Sequence, residues 1–248
     1  MTDLTDPDTP DLDAPDLDAP DLDALAAIST ATITMVLLKH GLRNVWLRGT
    51  RPLLPGQRRV AGPAFTLRFL PAREDLATPA SLASGRSTRA AIEAMPPGCV
   101  VVVDALGTED VGTFGDILCA RMRARGVAGV VTDGVVRDLE GVTAVGLPVW
   151  GRGTAAPPSV SGLTFVGWQE PVACGGVAVF PGDVIVADGD GAVVIPRALA
   201  GAVAAAGAAQ ERLEAWIMAE VSRGVPLLGL YPPNAEALAR YERDIGAL

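Results

Sequence analysis

One histidine and one lysine are all that 248 residues offer of two side chains on which much enzyme chemistry depends. A Ser-His-Asp hydrolase would have to recruit His40, and a Schiff-base enzyme Lys39. Both sit in "ITMVLLKHGL", at the polar end of an apolar periodic run that stops at Gly41, and the last turn of a helix is an ordinary solvated place for such groups. Cysteine is scarce as well. Cys99, Cys119 and Cys174 are odd in number and widely spaced with no C-x-x-C, which argues against a disulfide framework or a thiolate zinc centre and leaves three small buried residues. No run is long and apolar enough to span a membrane, and no basic start followed by an apolar core marks a secretory signal. The expectation is a cytoplasmic protein with no membrane partner.

The formal charge of −9 is local: nine aspartates, from Asp3 to Asp23, precede residue 25 with no Lys or Arg among them. The rest of the chain balances its acids against its bases, so it carries no basic excess for gripping nucleic acid. The acidic stretch repeats "DLDAP" and contains no aromatic residue, a composition that cannot offset the entropy of ordering. Residues 1–24 therefore read as a disordered acidic leader, and residues 25–248, within a chain 49% apolar, as a single domain with a substantial core.

Within that domain "STATITMVLLKHGL" reads as a helix capped by Ser29 or Thr30. "RRVAGPAFTLRFL" follows as a strand with a Gly-Pro interruption, then "STRAAIEAM" as a short helix and Cys99 to Ala105 as a strand. "FGDILCARMRARG" is helical, "VAGVVTDG" a buried strand, "VRDLEGVTAVG" a helix and "LPVW" a strand. This alternation predicts an α/β fold whose central sheet, parallel or mixed, is flanked by helices. From about Gly162 the texture changes to short β segments with "PGD" and "DGDG" as turns. Arg197 to Gly224 reads as a helix, followed by a Pro-rich tail. "GRGTAA" (Gly151 to Ala156) lacks the following helix and distant acid of a dinucleotide site, and "DGDG" lacks the further ligands of a calcium loop.

Two strand-to-helix junctions place charge where α/β sheets collect ligands, at the carboxyl ends of strands. Gly115 to Leu118 open one helix, and unpaired amides at a helix start favour an anion. Arg137 and Asp138 open the next. A cation there opposes the helix dipole, which suggests a negative partner. The plainer alternative is that Asp116 and Asp138 merely cap their helices. With so little His and no paired Cys, a metal at this place would need oxygen ligands and water, which points to Mg²⁺ or Mn²⁺.

"GDILCARMRARGVAGVVTDGVVRD" resembles the signature of the RraA-like family, which includes the class II 4-hydroxy-4-methyl-2-oxoglutarate (HMG) aldolases: an Asp, twenty intervening residues, then Arg-Asp, here Asp116 and Arg137-Asp138. The resemblance runs from about Ile28 to Tyr231. It implies the swivelling β/β/α domain, assembled as a homotrimer or homohexamer. It also implies roles. Gly115, Asp116, Ile117 and Leu118 would bind the keto-acid end of a substrate, Arg137 would contact its C2 oxygen, Asp138 would hold the metal, and Asp116 would order a water on it. A glutamate from the neighbouring subunit belongs near those waters; spacing from Gly224 and "GLY" best matches Glu214, with Glu211 second. One departure is Gly141, where the family often carries an acid that Glu140 could replace.

The function so implied is a divalent-metal-dependent lyase that cleaves a 2-oxo acid through a pyruvate enolate, by aldol cleavage or by decarboxylation of oxaloacetate. Two alternatives stand beside it. One is a non-catalytic regulator that binds a ribonuclease, an activity associated with family members in which the Asp after the Arg is typically absent. The other is a dehydratase or lyase for a sugar-derived acid using the same enolate chemistry.

Overall fold

The computed structural model describes residues 19–245. Helices α1 (Ala19–Ala27) and α2 (Thr30–Lys39) come first, then β1 (Trp46–Leu47), β2 (Arg51–Pro52), the long strand β3 (Val60–Pro71) and α3 (Thr88–Ala94). The α/β centre is β4 (Val100–Asp104), α4 (Asp116–Ala124), β5 (Gly129–Thr132), α5 (Leu139–Val145) and β6 (Val149–Gly151). A β-rich stretch follows, β7 (Leu163–Trp168), β8 (Val172–Cys174), β9 (Val177–Val179), β10 (Val184–Asp188) and β11 (Gly191–Ile195), and α6 (Ala200–Ser222) and α7 (Ala235–Ile245) end the described chain.

Nine of these strands form one mixed sheet in the order β1-β11-β10-β3-β4-β5-β6-β2, with β7 added to β3, and β8 and β9 pair separately. β3, β4, β5 and β6 run parallel, as the strand–helix alternation requires, and the remaining pairs are antiparallel. The sheet is covered on both faces. Along β4 the side chains divide by the two-residue period: Val100 and Val102 join the core beneath α1 and α2, while Val101 and Val103 join the core beneath α3 and α4. Each fully buried valine of this kind stabilises by about 1.5–3 kcal/mol. Ser29 caps α2, its hydroxyl accepting from Thr32 N at 3.1 Å, as its position before the apolar run predicts.

Three expectations are corrected. Residues 19–24, read as part of a disordered leader, belong instead to helix α1, with Leu25 fully buried and Leu22 packed beside it on the core; residues 1–18 lie outside the described residues. Gly62 and Pro63 do not interrupt β3. Pro63 pairs with Val184, and the missing side chain at Gly62 admits the Gly98 carbonyl oxygen, which would lie 2.3 Å from a Cβ there. The Pro-rich tail contains α7, whose first turn is capped by Asn234, Oδ1 accepting from Ala237 N at 2.9 Å.

Candidate active site at the ends of β4 and β5

Where β5 ends, the next residue turns inward. Asp133 is buried, its Oδ1 accepting from Ala105 N at 2.8 Å and its Oδ2 from Gly175 N at 3.3 Å. Asp104, at the end of β4, is buried beside it and accepts from Leu106 N and Ala173 N, both at 3.2 Å. Burial holds the Asp133 carboxyl above its usual range, with the Asp104 charge adding to that and the amides of Ala105 and Gly175 opposing it. The two carboxylates tie the strand ends to the loop after β4 and to the β8–β9 hairpin. Asp133 is therefore structural, although it stands at the end of a parallel strand, where α/β sheets collect ligands.

Beyond Asp133 the chain continues extended, and backbone bonds stitch it to the loop after β4. Gly112 bridges Val135, Thr113 N donates to Val135 O at 2.9 Å, and Arg137 N donates to Phe114 O at 2.8 Å. On its other side Val136 N donates to Gly153 O, and Ala155 N donates to Val136 O. The backbones approach so closely that a Cβ at Gly112 would lie 2.8 Å from Arg137 N. "GRGTAA" is thus a strap of this weave, followed by a single 3-10 turn (Ser159–Ser161) and then strand β7 instead of the α-helix of a dinucleotide site.

The weave brings the starts of α4 and α5 together. Gly115 is the N-cap of α4 and offers no side chain to its first turn, so Asp116 is the first helical residue and not the cap. Asp116 Oδ1 accepts from Ile117 N at 2.7 Å, which occupies one of the amides expected to meet a substrate. α5 begins only at Leu139, so Arg137 precedes it. Asp138 is its N-cap, but with φ 54° and ψ 46° and no side-chain bond to the helix. A left-handed backbone at a non-glycine residue costs on the order of 1–2 kcal/mol. An ordinary capping Asp has an extended backbone and bonds its own helix; Asp138 does neither. Its half-exposed carboxylate instead receives Arg137 Nε at 3.0 Å.

Two glycines hold these carboxylates in place. A Cβ at Gly115 would lie 2.4 Å from Asp138 Oδ2, and one at Gly141 would lie 2.5 Å from Asp116 Oδ2. The missing acid at 141 is thereby explained: that space belongs to Asp116. Glu140 is exposed on α5.

Gly115, Asp116, Ile117, Leu118, Arg137 and Asp138 are therefore brought to one place. Glu214 is not among them within one protomer. It lies on α6, where its carboxylate accepts from Gln210 Nε2 at 2.7 Å. Glu211 is committed elsewhere, accepting from Ser29 N at 2.9 Å. Burial works against its charge, but the Ser29 amide, the Thr32 and Ser29 hydroxyls and Arg59 together hold it below the usual glutamate range. Lys39 and His40 are exposed at the end of α2. All three cysteines are buried and free, and burial pushes the Cys99 and Cys119 thiols up to about 12. The DGDG turn joins β10 to β11, and Asp188 is engaged by Thr30 N, Thr30 Oγ1 and Asp190 N. Sequence reasoning missed Gly112 and Asp104. The first had no signal without the weave, whereas an Asp ending an apolar strand could have been flagged.

Residues 21–194 match the family model described as RraA-like, Aldolase/RraA. A protein of Halalkalibacterium halodurans provisionally named a 4-hydroxy-4-methyl-2-oxoglutarate aldolase is 37% identical over 161 residues, covering 63% of this chain and 68% of that protein. Among solved structures, Streptomyces coelicolor RraAS2, described as an unusual member of the RNase ES inhibitor RraA protein family, superposes with a TM-score of 0.73 at 37% identity, covering 82% of this chain and 97% of that one. An uncharacterized protein from Pseudomonas syringae pv. tomato gives a TM-score of 0.76 at 28% identity, covering 88% and 99%.

Proposed function

Since this chain belongs to the RraA-like family, we propose that it is a divalent-metal-dependent carbon–carbon lyase acting on a 2-oxo acid, by HMG-type aldol cleavage, oxaloacetate decarboxylation or both. The observation that carries the reading is Asp138: an exposed carboxylate in a strained left-handed backbone, unused by its own helix, ion-paired to Arg137 and facing a glycine that leaves it room. Strain retained without a capping bond points to use by a ligand.

Among the described residues no three His, Cys, Asp or Glu side chains converge into a preformed metal cage. That suits Mg²⁺ or Mn²⁺, which bind through one or two carboxylates with water and substrate oxygens completing the shell. Asp138 would be the direct ligand, and Asp116 Oδ2 would orient water beside it. When bound, the ion supplies Lewis-acid polarisation of the 2-oxo acid.

The remaining steps belong to the protein. The amides of Gly115 and Leu118, at the start of α4, receive the substrate carboxylate. Arg137 uses Nε on Asp138 and has its Nη donors for the C2 oxygen, where negative charge grows as the C3–C4 bond breaks. For aldol cleavage the C4 hydroxyl proton leaves through water ordered by Asp116 as that carbon becomes a carbonyl, helped by Glu214 of a neighbouring copy in a homotrimer or homohexamer. No lysine imine enters.

The test is pyruvate release from HMG and from oxaloacetate across a metal titration. Chelation should abolish it. Arg137→Lys should lose roughly 10²–10³-fold in rate with metal binding retained, as for removal of a charge-stabilising donor. Asp138→Asn should weaken metal binding, so that excess Mn²⁺ partly restores turnover. Near-native rates in both variants would refute the site.

The likeness to Streptomyces coelicolor RraAS2 favours a second reading, a regulator that binds a ribonuclease. Under that reading no metal-dependent pyruvate release appears with any 2-oxo acid, and the chain inhibits a ribonuclease with Asp138→Asn as effective as wild type.

A further inference from the structure

The second half of α6 leaves the body of the protomer. Glu211 is bonded to Ser29 on the body, and from there α6 runs eleven residues further to Ser222, about 16 Å. There it builds a small core of its own with the following loop and α7, from Ile217, Leu230 and Ala237. Arg240 and Arg223 converge on the buried Glu220, and Arg240 also lies 5.5 Å from the Trp216 ring centroid. The arm is thus internally braced. Its tip is nevertheless apolar and exposed: Leu228 is 98% exposed, and Leu227 and Tyr231 are each 58% exposed. Such a projecting cluster on a braced scaffold marks a binding surface.

Elsewhere the same chain has a complementary hollow. A cavity of about 360 Å³ opens between β7, α3 and the segment 76–82, with Phe69, Leu76, Leu82, Val160, Leu163 and Phe165 among its walls. It adjoins the candidate site, because Val160 follows Pro157 and Pro158, which pair with Gly112 of the weave. The charges flanking the two surfaces are of opposite sign. Arg86 and Arg89 are the only charged residues between Asp75 and Glu93, and Glu236 is the only one between Arg223 and Arg240. Arg86 is held at the cavity by Nε donating to Val166 O at 2.7 Å, with Glu170 3.8 Å away.

We propose that the Leu227–Tyr231 tip of one copy seats in this cavity of a second copy, with Glu236 facing Arg86. Knob and hollow lie on different parts of one chain, so the contact is heterologous and builds a closed ring if its rotation closes. The inference rests on the homo-oligomer proposed above and identifies the surfaces that make it.

The experiment measures the mass of the full chain against concentration by light scattering. Wild type should be oligomeric at micromolar concentration. Leu228→Asp, at a position too exposed to affect the protomer fold, should weaken assembly by roughly tenfold or more, and Ala77→Trp, which fills the cavity from the other side, should do the same. Glu236→Arg and Arg86→Glu should each weaken it, and the double variant should recover it. An oligomer that survives Leu228→Asp and Ala77→Trp overturns the contact while leaving the homo-oligomer standing. A monomeric wild type overturns both, and a double variant no better than its singles overturns the Glu236–Arg86 pairing.

Discussion

Asp133 and Asp138 lie five residues apart on the same loop and are opposites in every physical respect. Asp133 is buried and saturated by the amides of Ala105 and Gly175; Asp138 is exposed, strained and unused by the helix it starts. A carboxylate whose acceptors are all spent on its own backbone holds a loop in shape. One held in a left-handed backbone, with one oxygen on Arg137 and none on its own helix, is placed for something outside the chain. Position at a strand end does not separate the two, and the hydrogen-bond partners do.

The comparison breaks most sharply at Asp133. Asp133→Ala strands two buried amides, and at about 1–3 kcal/mol each it should cost about 2–6 kcal/mol in denaturant unfolding, with activity lost through loss of folded protein. Asp133→Asn removes the charge together with one of the two acceptors. The folded pKa of Asp133 is raised above its unfolded value, so the folded state binds the extra proton and the contribution of this group to stability falls as pH rises from the unfolded pKa through the folded one. The stability of wild type relative to Asp133→Asn should therefore fall as pH rises through that window. A constant gap would mean that Asp133 titrates alike in both states.

At Asp138 the effect should fall on function. Gly115→Ala and Gly141→Ala put a methyl group against Asp138 Oδ2 and Asp116 Oδ2 respectively, and each should lower turnover by roughly tenfold or more, with melting temperature changed little beside Asp133→Ala. Unaltered kinetics in both would place the reacting groups elsewhere.

The smallest effect belongs to the N-terminus. Removing residues 1–18 should leave turnover and melting unchanged. Removing residues 1–24 takes Leu22 and most of α1 from the face of α6, and should lower stability by about 1–3 kcal/mol while leaving the rate per folded protomer intact. Equal melting of the two truncations would show that α1 contributes nothing.

The α/β centre was legible because burial on both faces leaves its mark in composition: Val100 to Val103 and Val130 to Val131 can hardly be other than covered strands. The polar site was legible through its motif, since Gly115-Asp116 and Arg137-Asp138 flank one helix and one strand. α7 was hidden by the prolines before it, although Asn234 at the cap was a usable signal. β3 read as interrupted because Gly62-Pro63 is a breaker locally, and only its pairing with β10 and β4 overrides that.

By itself, then, the sequence determined which segments are strands and helices in the centre of the molecule, and which residue types stand where those strands end. Both follow from local periodicity and from the chemistry of single side chains. Only the tertiary structure decided which carboxylate is spent and which is available, why residue 141 has no side chain, and that Glu211 belongs to the protomer's own α2 while Glu214 does not meet the site. Those are matters of distance between segments far apart in the chain, set by the backbone weave of residues 112–114, 134–137 and 153–155, and no local pattern encodes them.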